Sequence, residues 1–356
     1  MLKWVLRGIS TSAVICASVA LAYMAPPQST SVPALPAPVQ TTRALGSVAL
    51  LGHGRPAIKL QSALLRQMDS SNYIASDPTL PWAPPAWFGA DEALQTLSQM
   101  DQSWEGGKGP AVHSRSVFVF DIDAGKVLFE KNADNVRPVA SLTKLVSALS
   151  LASAEPDLDQ AFCVSAEQYP TRSGATSRLS TGDCVTGWDT LGAALVASDN
   201  RGAYGLARAS GMDLDTFIDR MNNVSADLGM YHSSWSEPSG LEDENLSTAR
   251  DMAKATFAVS IHPVLSQVAS APFWDLHRSN REATRRLYST DRLAGREDIL
   301  IESAKTGYTD TARYCFTTTL ITESGRHLVI TLLGADGKMT RWADISRVLS
   351  WVDSLD

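Results

Sequence analysis

Positive charge is scarce in this sequence: lysine and arginine number 31 against 38 aspartates and glutamates, for a formal net charge of −7. A field of that sign favours neither nucleic acid nor anionic lipid, so no nucleic-acid partner is expected. Histidine is also sparse. His53, His113, His232, His262, His277 and His327 show no H-E-x-x-H or comparable ligand spacing, so no metal centre is expected, and no motif calls for a cofactor. There is no internal repeat, and 23 Gly with 17 Pro in 356 residues excludes a collagenous chain. What remains, 44% hydrophobic and 19% charged residues, is a soluble globular composition with length enough for one large domain or two small ones.

The N-terminus carries Lys3 and Arg7, then an uncharged run from Gly8 to Ala25, with Ala20, Leu21 and Ala22 forming an A-x-A pattern. This reads as a secretory signal peptide, residues 1–22, and directs the chain to the periplasm. Retention of the run as an N-terminal membrane tether is the alternative, although Ser10, Thr11, Ser12 and Ser18 make it weakly apolar. Export changes the reading of the cysteines, because a disulfide persists outside the cytosol. Cys163 in A-F-C-V-S and Cys184 in G-D-C-V-T lie in short strand-like pieces around a loop, as the two arms of a hairpin would, and a bridge between them is expected. A pair of small buried hydrophobes is the alternative. Cys315, in R-Y-C-F-T, reads as a buried hydrophobe.

Residues 23–42 are proline-rich with small polar residues and read as a linker. Residues 43–110 form an N-terminal extension with helical patterns near Ile58–Met68 and Asp91–Trp104 but no chemical motif, and Gly106, Gly107 and Gly109 mark a boundary. The ordered domain is expected over residues 111–356. It opens with S-V-F-V-F-D and K-V-L-F-E joined by D-A-G, a hairpin signature. A helix is predicted from Ser141 to about Ala154, several more between Trp188 and Ser260, then three strands ending in H-L-V-I-T-L-L-G, and a last helix from Lys338 to Trp351. Strands, a helical middle, more strands and a final helix predict an α+β domain: one antiparallel sheet flanked by helices and split by an inserted all-helical subdomain.

Ser141 and Lys144 stand three apart at a helix start, which puts a hydroxyl and an amine on one helical face. S-x-x-K alone is weak, since a capping serine and a solvated lysine would give it. It is followed by Ser198, Asp199 and Asn200, 57 residues on (198 − 141), and by Lys305, Thr306 and Gly307, 107 residues further (305 − 198). S-x-x-K, S-x-N and K-T-G in this order make a strong signal.

These motifs resemble those of the penicillin-binding serine D,D-peptidases, specifically the low-molecular-mass D-alanyl-D-alanine carboxypeptidases and endopeptidases. The likeness covers about residues 112–356 and includes R-P-V-A-S-L-T-K, E-P-S-G-L and N-L-S-T-A-R-D-M. K-T-G-Y-T-D-T-A-R-Y-C and G-K-M-T-R-W-A-D-I-S-R look most like the periplasmic endopeptidase subgroup. The resemblance implies a β-lactamase-like fold, peptidoglycan peptide stems as substrate and β-lactams as covalent inhibitors. Arg313 departs from it, standing on the turn after K-T-G where the family usually has a small residue.

In that framework Ser141 is the nucleophile and Lys144 its base, neutral for part of the time because burial and the like charge of Lys305 lower its pKa. Ser198 relays the proton to the departing amine. Asn200 holds Lys144 through its carbonyl and substrate through its NH₂. Backbone N–H groups of Ser141 and Tyr308 form an oxyanion hole, Gly307 lets a peptide approach the strand edge, and Lys305 with Thr306 binds the substrate carboxylate. Asp199 is expected to structure its loop, Arg201 to be solvated, Arg172 and Arg178 to sit on a loop, and Arg278, Arg281, Arg285 and Arg286 to lie at the surface. Cross-bridge cleavage is favoured because the chain ends 19 residues after Gly337 (356 − 337), without the further domain of anchored carboxypeptidases. Carboxypeptidase action is the alternative. A serine β-lactamase fits less well, since Glu237-Pro238 echoes its loop but Leu241 stands where Asn belongs. A penicillin or peptidoglycan sensor without turnover is the remaining rival.

Overall fold

The computed structural model describes residues 91–154, 156–167 and 177–355. The signal, the linker, most of the N-terminal extension and Arg172 lie outside the described residues.

The first helix, α1 (Asp91–Gln99), leads into the hairpin of β1 (Ser116–Asp121) and β2 (Lys126–Lys131). Its turn closes on Gly125, whose φ of +63° suits a residue without a Cβ, and Asp121 accepts a hydrogen bond from the Ala124 N–H. After β3 (Arg137–Pro138) and a 3-10 turn (Ala140–Leu142) come α2 (Thr143–Ala152), β4 (Ala161–Cys163) and β5 (Cys184–Thr186). The helical insertion continues with α3 (Gly187–Leu195), α4 (Asn200–Ala209) and α5 (Leu214–Asp227). Then follow β6 (Leu246–Ser247), α6 (Ala249–Ile261), α7 (Pro263–Ser270), β7 (Phe273–Leu276) and β8 (Arg285–Tyr288). The chain closes with β9 (Ile299–Thr309), β10 (Arg313–Thr322), β11 (His327–Ala335) and α8 (Lys338–Val352).

Five strands pair antiparallel in the order β2-β1-β11-β10-β9, so the N-terminal hairpin joins the C-terminal strands and the helices between form an insertion. This is the α+β architecture expected from the alternation of strand and helix patterns. Side chains alternate across the sheet, and both faces are covered. Val117 and Val119 face one way and pack with Trp342, Ile345 and Val348 of α8, whereas Phe118 and Phe120 face the helical side. On that side every residue of α2 is buried; its serines Ser147 and Ser150 keep the helix slim and satisfy their hydroxyls on carbonyls.

The boundary expected near Gly109 is not where the packing places it. The helix predicted to reach Trp104 ends at Gln99, and the chain beyond it is part of the same core: Met100 is fully buried and Trp104 meets the Phe129 ring edge-on at 5.0 Å. Arg250 on α6 holds this segment, donating to the carbonyls of Met100 (2.6 Å) and Gln102 (2.8 Å) while pairing with Asp134 and Glu130. A buried guanidinium gathers carbonyls from far along the chain, which no hydrophobic period reveals.

Cys163 and Cys184 face each other in the β4–β5 ribbon and are joined, with a Cα–Cα distance of 3.9 Å. The loop they close is held from outside. Ser279 N–H donates to the Cys184 carbonyl, Asn280 pairs with Cys184 N–H and the Gly182 carbonyl, and Arg281 pairs with buried Asp183. Arg281, Arg285 and Arg286 are exposed, as expected of a surface cluster, and they also bind nearby chain: Arg285 donates to the Arg178 carbonyl and Arg286 pairs with Asp275. Arg201, expected in solvent, donates to the Leu179 carbonyl at 2.8 Å. Cleaving the bridge, by reduction or by Cys163→Ser with Cys184→Ser, is expected to destabilise the protein by about 3 kcal/mol on the chain-entropy estimate. Peptide mapping of the purified protein without reductant checks the bond; recovery of both cysteines as free thiols would remove it.

Candidate active site

Ser141 sits in the 3-10 turn ahead of α2 rather than in the α-helix itself, a correction to the predicted helix start. The turn begins at Ala140, a non-glycine residue with φ +51°, and two glycines admit it. A Cβ at Gly240 would lie 1.9 Å from the Ala140 carbonyl oxygen, and one at Gly307 would lie 2.8 Å from the Val139 carbonyl and 3.2 Å from the Ser141 nitrogen. The glycine of K-T-G is thus required by close packing of β9 on the turn that carries Ser141.

One helical turn later, Lys144 is fully buried and its Nζ lies 2.9 Å from Ser141 Oγ. The same nitrogen donates to Asn200 Oδ1 at 2.9 Å and to the Ser239 carbonyl. Burial lowers the ammonium pKa to about 8, against the opposing pull of the Glu237 and Asp199 carboxylates. A neutral amine that donates to Asn200 and Ser239 turns its lone pair toward the serine hydroxyl.

Asn200 opens α4, which Asp199 caps by accepting from the Gly202 N–H at 3.0 Å. Asp199 also accepts from Ser177 Oγ (2.7 Å) and the Arg178 N–H, tying the disulfide loop to the S-x-N segment. Ser198 just before it has φ +57°, a strained conformation for a side-chain-bearing residue. Its Oγ accepts from Lys305 Nζ at 2.8 Å, so S-x-N and K-T-G meet directly.

Lys305 is likewise buried, and its ammonium is held well below the usual lysine range by burial and then by the positive charges of Lys144 and Arg341. The repulsion between the lysines anticipated for Lys144 thus falls on Lys305. Thr306 Oγ1 shares a hydrogen bond with Thr290 Oγ1 at 2.6 Å. Tyr308 is half exposed, its hydroxyl donating to Asp310 at 2.8 Å and its ring 4.3 Å from Tyr314. Arg313, the departure on the following turn, adopts φ +62°, the left-handed backbone that a small residue or glycine accommodates with least strain.

Sequence reasoning passed over two contributors. The Ser239 carbonyl is a backbone group and leaves no side-chain signal. Arg341 lies behind β9 and donates to the carbonyls of Gly307 (3.2 Å) and Cys315 (2.8 Å); it stands inside G-K-M-T-R-W, which resemblance marked without a role. Cys315 is buried, with its thiol pushed up to about 11 by burial, as an inert packing residue should be. Among the described residues no cluster of potential ligands could hold a metal.

This geometry can be set beside known proteins. The family model for D-alanyl-D-alanine carboxypeptidase matches residues 104–337. A D-alanyl-D-alanine endopeptidase of Escherichia coli is 31% identical over 275 residues, 77% of this chain and 85% of that protein. Its counterpart from Pseudomonas aeruginosa is 33% identical over 242 residues, covering 68% and 77% of the two chains. A penicillin-binding protein of Listeria monocytogenes, solved in a cefotaxime-bound form, superposes with a TM-score of 0.59 at 26% identity, over 68% of this chain and 98% of that one. With its three motifs joined through two buried lysines, Lys144 on Ser141 and Asn200 and Lys305 on Ser198, and two thirds of its length matched by the family model, the chain belongs to the D-alanyl-D-alanine carboxypeptidase family.

Proposed function

We propose that this protein is a serine D,D-peptidase that opens D-alanyl bonds of peptidoglycan cross-bridges through an acyl-enzyme, acting as an endopeptidase. The observation that carries the reading is the fully buried Lys144 amine, in contact with Ser141 Oγ and tethered by Asn200 and the Ser239 carbonyl. Ser141 Oγ attacks the D-alanyl carbonyl as its proton passes to Lys144, and the backbone N–H groups of Ser141 and Tyr308 meet the developing oxyanion. Collapse breaks the C–N bond, and the proton reaches the leaving amine through Ser198. Water then hydrolyses the ester and restores the serine. Asn200 offers its NH₂ to the substrate backbone, while Lys305 and Thr306 bind the carboxylate on the leaving residue.

Endopeptidase action is favoured by the two relatives of that name, which align with this chain over 85% and 77% of their own length. Work in the periplasm is supported by the A-x-A pattern at Ala20–Ala22 and by the Cys163–Cys184 bond, which an oxidising compartment preserves. Mature protein incubated with cross-linked muropeptide dimers should convert them to monomers without free D-alanine, as followed by mass spectrometry. Release of D-alanine from pentapeptide monomers with dimers untouched would reverse the assignment to carboxypeptidase.

A further inference from the structure

The segment W-S-E-P-S-G-L, residues 235–241, contains a buried carboxylate, Glu237, that the mechanism does not consume. Its oxygens accept from the backbone N–H groups of Ser239 (2.6 Å), Gly240 and Leu241 (2.8 Å), and from Asn245 Nδ2 (2.7 Å). Asn245 in turn takes the N–H groups of Ser236 (2.8 Å) and Glu237 (3.3 Å) on its own oxygen. The charge is thus met by N–H dipoles, with no cation at ion-pair distance among the described residues. Both oxygens are committed to the loop's own N–H groups and the residue is buried, which does not suit Glu237 to the part a β-lactamase carboxylate plays.

Winding the backbone inward around a carboxylate turns its carbonyls outward. The Pro238 carbonyl accepts from Ser147 Oγ at 2.7 Å and the Ser239 carbonyl accepts from Lys144 Nζ, so the loop grips α2 at two positions one turn apart. Gly240, at φ +80°, braces the Ala140 carbonyl beneath the nucleophile. Tyr204, one turn after Asn200 on α4, lies against Glu237, and its phenol is raised by burial and then by that carboxylate. The charged groups around the Lys144 amine are Glu237 from this loop, Asp199 from the start of α4 and Lys305 from β9, with Asp291 and Arg341 beyond Lys305.

We propose that Glu237 is a positioning residue for Lys144: its carboxylate winds the Ser239–Leu241 backbone so that the Ser239 carbonyl holds the amine toward Ser141. The inference rests on Lys144 being the base, and its failure is separable from the failure of that reading. A wild-type profile without a rising limb near pH 8 would remove the base assignment, whereas an unmoved limb in a Glu237 variant would remove only the inference.

The test is the pH dependence of kcat/KM on muropeptide dimers for Glu237→Gln and Glu237→Asp, each checked for folding by its thermal melt. Glutamine removes a charge that favours the ammonium, so the rising limb is expected to move to lower pH by about one unit. Aspartate keeps the charge but withdraws it by one methylene from the N–H groups, so the limb should stay while kcat falls on the order of tenfold through misplacement of the amine. A folded Glu237→Gln enzyme with the wild-type limb, or Glu237→Asp with the wild-type kcat, would overturn the proposal. If neither variant folds, Glu237 is a folding residue and the proposal fails too.

Discussion

Ser141→Ala protein is expected to take up no fluorescent penicillin, while the wild-type chain becomes labelled and gains the mass of one opened β-lactam. A β-lactam offers a strained amide and a carboxylate to the groups proposed to read the D-alanyl peptide, and the Ser141 hydroxyl, the proposed nucleophile, stands 2.9 Å from the Lys144 amine. Without it no ester forms, and hydrolysis of muropeptide dimers should fall by a factor of about 10³ or more. The wild-type adduct should be long-lived, because the oxygens of Glu237 are engaged by backbone N–H groups and Asn245 rather than turned to water. Undiminished labelling of Ser141→Ala would move the nucleophile elsewhere, and fast nitrocefin turnover by wild-type protein would support a lactamase.

Lys144→Ala is expected to lower kcat by about 10²–10⁴, the usual worth of a positioned base. Lys144→Arg should do no better, since a guanidinium keeps its proton. The sign of the pH dependence follows from the base being the unprotonated amine. Burial brings the Lys144 pKa down to about 8, so kcat/KM should climb as pH rises toward 8 and level off above it. Lys305→Ala acts differently. It weakens carboxylate binding and should act first on kcat/KM. Lys144→Ala with near-normal kcat would show that another group takes the proton.

Much of this site is legible in the chain because parts of it are local. A spacing of three at a helix start brings Ser141 and Lys144 together whatever surrounds them. The two apolar strand-like runs S-V-F-V-F-D and K-V-L-F-E about the turn residues D-A-G specify a hairpin, and Asp199, expected to structure its loop, caps the helix that follows. The errors also have physical causes. The helix predicted from Ser141 begins with a 3-10 turn because the backbone there must pass Gly240 and Gly307 at close range. The boundary at Gly109 dissolved because Arg250, more than a hundred residues away, binds the carbonyls of Met100 and Gln102. Arg201 left the solvent for the carbonyl of Leu179, on a loop that local pattern does not connect to it.

By itself the sequence determined the kind of fold, the order of the three motifs and the pairing of Ser141 with Lys144, since strand and helix patterns and the reach of neighbouring side chains are set by geometry over a few residues. Only the tertiary structure decided what those residues can do. Lys144 and Lys305 are lysines like any others until helices and strands from distant parts of the chain strip them of water, and desolvation is what lowers their pKa. The meeting of Ser198 with Lys305 across 107 residues and the Ser239 carbonyl on the Lys144 amine are likewise products of packing, because backbone groups and long-range contacts carry no signature in residue type.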